Sequence, residues 1–263
     1  MTLIIGAKCE NGIVLGADGA ATSCAPGGER VAEQPTVKLE VMAASLVMGY
    51  SGYAGVGQAL KALAETTWKT CKKDSALGVS RAFSKTFHDQ FFKEELERAR
   101  AWANSTNDRR RLSHLDGEML VATSPIGEEP RLFCFTNGMP PEEIRPANPF
   151  CAIGSGQNIA TPFLTFLRRL FWPDGGTPNI AEGKMVVLWT LRHVVKTAPG
   201  GVRDPYQMVV MLPKTDRVYE AHELSEDEIK EARDYIRSAE SNIAEVIRGN
   251  ARAVAAIPKA PAG

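Results

Sequence analysis

The sequence predicts an α+β fold in which antiparallel sheets are covered by pairs of helices, followed by a helical extension. Three observations carry this. Strand-like and helix-like segments come in blocks (strands, two helices, strands, two helices, strands) and not one by one, as a parallel doubly wound sheet would require. The chain opens on a hairpin signal, Glu10-Asn11-Gly12, set between two apolar segments; Asn and Gly both tolerate the positive φ of a tight hairpin turn. After Leu224 a new hydrophobic repeat begins behind its own helix start.

The segments follow in order. Thr2 to Cys9 and Ile13 to Asp18 are rich in Ile, Val and Leu and form the first hairpin. Residues 19–35 are dominated by Gly, Ala, Pro and polar side chains and are expected to form a loop or irregular strand. Strands are predicted at Thr36 to Val41 and at Ser45 to Tyr50; in the first, Val37, Leu39 and Val41 alternate with Lys38 and Glu40, the period of a strand apolar on one face. Helices are predicted from Ala54 to Cys71 and from Ser75 to Ala103, the second with Leu77, Val79, Phe83, Phe87, Phe91, Leu96 and Trp102 mostly on one face. Polar residues 104–115 interrupt the pattern. Strands return at Glu118 to Thr123, Arg131 to Thr136 and Phe150 to Ile153. A helix follows Gly156, with Pro162 tolerated in its first turns, and another spans Ile180 to Lys196. Gln207 to Leu212 and Arg217 to Ala221 supply the closing strands.

Composition narrows the function classes. Of 263 residues 44% are hydrophobic and 24% charged, and 31 basic residues balance 31 acidic ones. A nucleic-acid or membrane-surface partner would require a basic excess, so neither is expected. The basic run Arg109-Arg110-Arg111 reads as a solvated loop. No apolar stretch approaches the ~18 residues of a membrane span, and no export signal opens the chain. The five cysteines are odd in number, irregularly spaced and free of any Cys-x-x-Cys pair; reduced thiols in a cytoplasmic protein are expected, without structural zinc. The four histidines are scattered, and neither a metal nor a cofactor is predicted. Gly49-Tyr50-Ser51-Gly52-Tyr53 lacks the last glycine of a nucleophile elbow, and Gly154-Ser155-Gly156-Gln157-Asn158-Ile159 lacks that of a dinucleotide fingerprint.

Thr2 carries the most specific chemistry. An initiator Met before a small residue is generally removed, which leaves a hydroxyl and a free α-amine on one residue. A threonine hydroxyl alone is a poor nucleophile at neutral pH, whereas an α-amine with pKa about 8 can accept its proton directly or through a water. Such a residue holds its own general base. Taken alone, Thr2 equally starts a strand.

Its surroundings point further. The run Thr2 to Asp18 resembles the opening of mature proteasome β-subunits and of their bacterial relatives such as HslV and Anbu: an N-terminal Thr, a strand containing Gly, a charged residue before a Gly turn, an apolar strand, then Ala17-Asp18 at matching spacing. Lys38, in Pro35-Thr36-Val37-Lys38-Leu39, is similar to the strand lysine of that family, displaced by a slightly longer preceding loop. Tyr50-Ser51-Gly52-Tyr53-Ala54 resembles its glycine-containing segment beside the nucleophile. Ala152-Ile153-Gly154-Ser155-Gly156 and the strand within Gly201 to Met211 resemble later segments. The resemblance covers residues 2–221.

The resemblance implies a four-layer αββα sandwich of the N-terminal-nucleophile hydrolase type and a threonine endopeptidase. Thr2 would be nucleophile and base. Lys38 would lower the cost of the alkoxide, Asp18 would hold Lys38, and Ser155 would hydrogen-bond the Thr2 amine or a base water. The Gly52 N–H would supply the oxyanion hole, and Thr22, Tyr50, Ser51 and Ala54 would line the substrate groove, Tyr50 in the pocket for the residue before the scissile bond. The substrate would be a peptide or unfolded protein inside homo-oligomeric rings, with an ATP-dependent unfoldase as candidate partner. Each residue also has a plainer role: Asp18 and Lys38 as surface charges, Gly52 as a turn, Ser155 as a helix N-cap. One stretch departs from the family: Lys196-Thr197-Ala198-Pro199-Gly200-Gly201 lacks the acid and serine usual there, leaving only the Thr197 hydroxyl. Two alternatives therefore stand beside the peptidase, a catalytically silent ring-forming subunit and a small-molecule amidohydrolase of the same fold.

The chain is expected to divide into a domain at 2–221, a helical extension at 225–252 and a flexible tail at 253–263. Ser225-Glu226-Asp227-Glu228 is a capping box. Ile229, Ala232, Ile236, Ala239, Ile243 and Val246 then recur at alternating steps of 3 and 4, a narrow seam that suits either docking on its own domain or a helix contact between subunits. If the seam joins subunits or rings, deleting residues 225–263 reduces particle size in sedimentation; an unchanged size assigns the helix to its own domain.

Overall fold

A computed structural model describes residues 2–24, 30–106, 117–136, 140–197 and 202–255, with the side chains of 21–33 and 251–255 left out. The first hairpin forms as its Asn-Gly signal requires: β1 (Ile4–Cys9) pairs with β2 (Gly12–Asp18), Ile4 opposite Ala17 and Cys9 opposite Gly12. Every residue of both strands is buried, so this hairpin has protein on both faces.

The segment expected to be a loop or irregular strand pairs as a ribbon, β3 (Ala20–Cys24) with β4 (Arg30–Pro35). Residues with weak strand propensity are held there by main-chain pairing, which composition does not encode. Next come β5 (Leu39–Ala43) and β6 (Leu46–Gly52). The first starts three residues later than the alternation suggested, so Lys38 precedes the strand instead of lying within it. Three consecutive helical segments follow. They are α1 (Ala54–Thr70), α2 (Ala76–Phe87) and α3 (Lys93–Thr106), with a π-helical turn at His88–Phe92 between the last two. Ser75 caps α2 by accepting the Gly78 N–H at 3.0 Å.

Four strands return: β7 (Gly117–Thr123), β8 (Arg131–Thr136), the short β9 (Glu142–Ile144), which the sequence reading did not contain, and β10 (Phe150–Ile153). Helices α4 (Gln157–Phe171) and α5 (Ile180–Thr197) precede β11 (Tyr206–Thr215) and β12 (Val218–Glu223). The run Arg109 to Arg111 and residues 198–201 of the departing stretch lie outside the described residues.

The strands form two five-stranded antiparallel sheets. One has the order β10-β1-β2-β11-β12, the other β5-β6-β7-β8-β9. Alternation along the strands sorts side chains onto two faces. Ile4, Ile13 and Leu15 of the first sheet meet Val47, Leu120 and Leu132 of the second in one buried cluster. The opposite face of the second sheet offers Leu46, Met48, Val121 and Phe133, which pack against Leu60 and Ala64 of α1 and Val79, Phe83 and Phe87 of α2. On the outer face of the first sheet, Val187 and Leu191 of α5 lie directly over Gly16 of β2.

The chain divides into two compact units, Met1–Leu224 and Ser225–Gly263. The second carries α6 (Glu226–Ala255). Its start is the reciprocal box read from sequence: Glu228 N–H donates to Ser225 Oγ at 3.3 Å and Ser225 N–H to Glu228 Oε2 at 2.9 Å. Along the seam Ile243 and Val246 are exposed. Among the described residues no helix is long and apolar enough to cross a membrane.

Phe83 is fully buried, its ring centroid 5.7 Å from that of Phe87 in a tilted arrangement. Truncation leaves a cavity between helix and sheet that neighbours fill only in part. Phe83→Ala is expected to cost about 3–5 kcal/mol, read as a lower urea midpoint at unchanged slope.

Candidate active site

The site is organised around the end of the first hairpin. Thr2 stands just before β1, and Asp18 ends β2 across from its neighbour Leu3. Asp18 is completely buried and its carboxylate is fully engaged: Oδ1 accepts the Leu3 N–H at 2.7 Å and the Lys38 ammonium at 2.7 Å, while Oδ2 accepts the Ala20 N–H at 3.4 Å. The backbone adds Asp18 N–H to Leu3 C=O at 3.2 Å. Asp18 is therefore no surface charge; it ties Thr2's neighbour to the segment leading into β5.

Lys38 is equally well held. Its side chain is 5% exposed, and its backbone N–H donates to Gln207 Oε1 at 2.7 Å. Burial pushes the Lys38 ammonium below its usual range, and the charge and hydrogen bond of Asp18 oppose that shift. A buried cation of this kind persists only with a partner. Gln207, on β11, was absent from the sequence reading. Its signal was a polar side chain inside the apolar run Tyr206-Gln207-Met208-Val209.

On the other side of Thr2 stands the turn after β10. The Thr2 N–H donates to Ser155 Oγ at 3.0 Å, and Gly156 N–H donates to Thr2 C=O at 3.2 Å. Ser155 thus sits beside the nitrogen that would become the free amine. It is not the cap of α4, whose N-cap is Gly156. Gly154 has φ +92°, and a Cβ there would lie 2.4 Å from Thr2 O and 2.6 Å from Ser51 Oγ, so only glycine permits this approach. Its N–H donates to Glu118 Oε2 at 2.9 Å; Glu118, the second residue of β7, is another positioning group without a sequence signature.

Thr2, Lys38, Tyr50, Gly52 and Ala54 line one cavity of about 320 Å³. Gly52 ends β6 at φ 147°, where the backbone turns into α1. Tyr50 forms a wall, its ring pressed between Gly57 and Gly117. Thr36 and Val37 also line it, as do Met42, Met48, Gln58 and the Lys61–Glu40 ion pair. None of these last five was singled out from sequence, because they converge from β5, β6 and α1 only after folding. Ser51 is not part of the lining: it is buried and alternates onto the opposite face of β6 from Tyr50, toward Gly154. Thr22 falls on β3, with its side chain outside the described residues. The Thr197 hydroxyl bonds back to His193 C=O of its own helix at 2.8 Å, so it does not support Thr2.

The chemistry available follows from this arrangement. A hydroxyl on Thr2 opens on a cavity that also receives a buried ammonium and a glycine backbone, while a serine oxygen contacts the Thr2 nitrogen. A test of the electrostatics is direct. In Asp18→Asn the charge that opposes burial is gone, so Lys38 titrates still further below 10.5, read by carbon-13 NMR of the lysine side chains. Since the folded state then binds fewer protons than the unfolded chain as pH rises toward the unfolded lysine pKa, stability increases with pH across that window. The full truncation Asp18→Ala is expected to cost about 3–5 kcal/mol, and the double variant Asp18→Ala/Lys38→Met to recover part of it.

No protein-family model matches the sequence, and no curated protein matches it by sequence. Solved structures match the fold along the whole chain. Anbu from Yersinia bercovieri, an ancestral β-subunit, superposes with a TM-score of 0.63 at 14% identity, covering 99% of this chain and 100% of its own. Anbu from Hyphomicrobium sp. strain MC1 gives 0.62 at 16% identity with 99% and 100% coverage. A mutant form of the same protein gives 0.62 at 14% identity with 100% of both chains covered. At these identities the likeness is one of fold: this chain has the fold of the Anbu structures.

Proposed function

We propose that the protein is a threonine peptidase of the proteasome-like, N-terminal-nucleophile type, with Thr2 as nucleophile and general base once Met1 is removed. The observation that carries this reading is the convergence on Thr2: the Asp18–Lys38 pair on one side, Ser155 on its nitrogen, and the Gly52 backbone across the same cavity. A plain strand terminus has no need of a buried lysine paired with a fully buried aspartate. Two sheets with helices on each outer face, and the fold shared with Anbu, support assignment to the four-layer αββα class.

In this mechanism the freed Thr2 amine takes the hydroxyl proton, directly or through water held by Ser155. The alkoxide is stabilised by Lys38, which Asp18 keeps charged and aimed. It attacks a peptide carbonyl, and the developing oxyanion rests against the Gly52 N–H. The amine then protonates the leaving nitrogen, an ester remains on Thr2, and water activated by the same amine hydrolyses it. The substrate is a peptide or unfolded segment with a side chain that fits between Tyr50, Met42 and Met48. Exposed Phe166, Leu170 and Phe171 on α4 form an apolar surface of the kind that subunit contacts cover, in keeping with a homo-oligomeric ring. An unfoldase partner and a cytoplasmic location belong to the same reading.

A silent ring-forming subunit is the second reading. One observation favours it: Thr197, the remaining hydroxyl of the departing stretch, is engaged by its own helix.

Intact mass spectrometry with a peptide epoxyketone separates the two. The peptidase lacks Met1 and gains one inhibitor on its N-terminal peptide; Thr2→Ala abolishes labelling, and Lys38→Ala lowers peptide hydrolysis by several orders of magnitude. Full hydrolysis by protein that retains Met1 would falsify the mechanism, and an unlabelled chain with free Thr2 identifies the silent subunit.

A further inference from the structure

Two cysteines outside the site meet between the sheets. Cys134 is in β8 of the second sheet, opposite Leu120 of β7 and Glu142 of β9. Cys151 is in β10 of the first sheet, opposite Gly6 of β1. Alternation puts Cys134 on the same face as Leu132, and Cys151 on the same face as Ile153. Both therefore point into the inter-sheet space, and both pack against the same buried cluster while remaining partly exposed. Gly6 contributes no side chain beside Cys151, and Leu132 of the opposing sheet packs closely over its Cα. The two thiols lie within interaction range of one another.

We propose that Cys134 and Cys151 form a reversible disulfide that clamps the two sheets beside the Gly154 turn, a thiol-oxidation switch built into the core rim. It does not depend on Thr2 being a nucleophile. The two thiols are chemically unequal. Hydrogen bonding from Cys151 and Thr136 holds Cys134 below the usual thiol range, whereas Cys151, donating to Cys134 and buried, is pushed up. Cys9 is pushed up to about 12 by burial, and Cys71 is raised for the same reason. Among these four, Cys134 is the thiol best able to react as a thiolate.

The oxidant class is a hydroperoxide, hydrogen peroxide in the simplest case. The Cys134 thiolate attacks one peroxide oxygen: an S–O bond forms, the O–O bond breaks, and the departing hydroxide takes up the thiol proton as water. Cys134 is now a sulfenic acid. Cys151 sulfur attacks it; the S–S bond forms, the S–O bond breaks, and the leaving hydroxide takes the Cys151 proton as a second water. Two thiols lose two electrons and one peroxide gains them. A dithiol reverses the step by exchange.

The position gives the link a consequence. β10 ends at Ile153, and the next residue is Gly154, whose N–H is held by Glu118 of β7, the neighbour of β8. A Cys134–Cys151 bond adds a covalent tie to that single hydrogen bond. It fixes the turn bearing Gly154, Ser155 and Gly156 to the sheet that carries Gly52.

The test is oxidation of the full-length protein with hydrogen peroxide. A loss of about 2 Da, a non-reducing peptide map joining the Cys134 and Cys151 peptides, reversal by dithiothreitol, and several-fold slower amide hydrogen exchange at Gly154 and Gly156 are expected. In Cys151→Ser the same treatment stops at a Cys134 sulfenic acid that dimedone traps, and Cys134→Ser leaves Cys151 unmodified. A wild-type map without that linkage overturns the disulfide, whatever the variants do. A linkage with unchanged exchange at the turn overturns the switch.

Discussion

The Asp18 carboxylate is the point through which the site is assembled. It is fully buried and accepts three hydrogen bonds from three separate parts of the chain: the start of β1, the start of the β3–β4 ribbon, and the residue before β5. A buried carboxylate costs several kcal/mol in desolvation unless such partners surround it. Here the partners are also the residues whose positions matter. Leu3 fixes Thr2, and Lys38 brings a cation from the approach to the second sheet to the end of the first. One side chain thereby sets the register between the two sheets at the cavity mouth.

The rest of the site leans on that arrangement from the opposite direction. Thr2 is gripped on its other side by the Gly154–Gly156 turn, where a serine oxygen meets its nitrogen and a glycine with positive φ lies against its carbonyl. Gln207 and Glu118 fasten the two grips to β11 and β7. The geometry around Thr2 therefore belongs to five strands at once, and it forms only when both sheets have docked. Precision of this kind is what nucleophilic catalysis requires, because the reacting atoms must be held in place before substrate arrives.

What was legible in the sequence was what is local. The hairpin could be read from Asn11-Gly12 and the capping box from Ser225 and Glu228, because each signal lies within a few residues of its consequence. Thr2, Asp18 and Lys38 were legible through the resemblance of their segments to proteasome β-subunits. The structure puts the latter two in one ion pair, although Lys38 sits before its strand. What could not be read depends on distant partners. The β3–β4 ribbon is made by main-chain pairing between segments of weak strand propensity. The helix expected over residues 75–103 is interrupted at His88–Phe92 by a π turn, with Phe91 and Phe92 in contact at 5.3 Å. Ser51 was named as a groove residue through the resemblance; strand alternation turns it away from Tyr50, toward Gly154. Gln207, Glu118, Met42 and Met48 carry no motif and enter only through tertiary contact.

The same two-sheet construction explains why the cavity and the thiol pair lie so near one another. A sandwich core is driest in the middle and opens toward its rims, so polar and reactive side chains collect where the sheets diverge. Leu120 and Leu132 close the centre, with Thr2, Lys38 and Gly52 at one opening and Cys134 and Cys151 along the edge that β10 shares with the Gly154 turn. A change in how the sheets meet along that edge reaches Gly154, where the backbone lies so close to the Thr2 carbonyl that a side chain would not fit. Coupling from edge to cavity then needs no long pathway. It needs only that one strand end in the turn which holds the reacting residue, and β10 does.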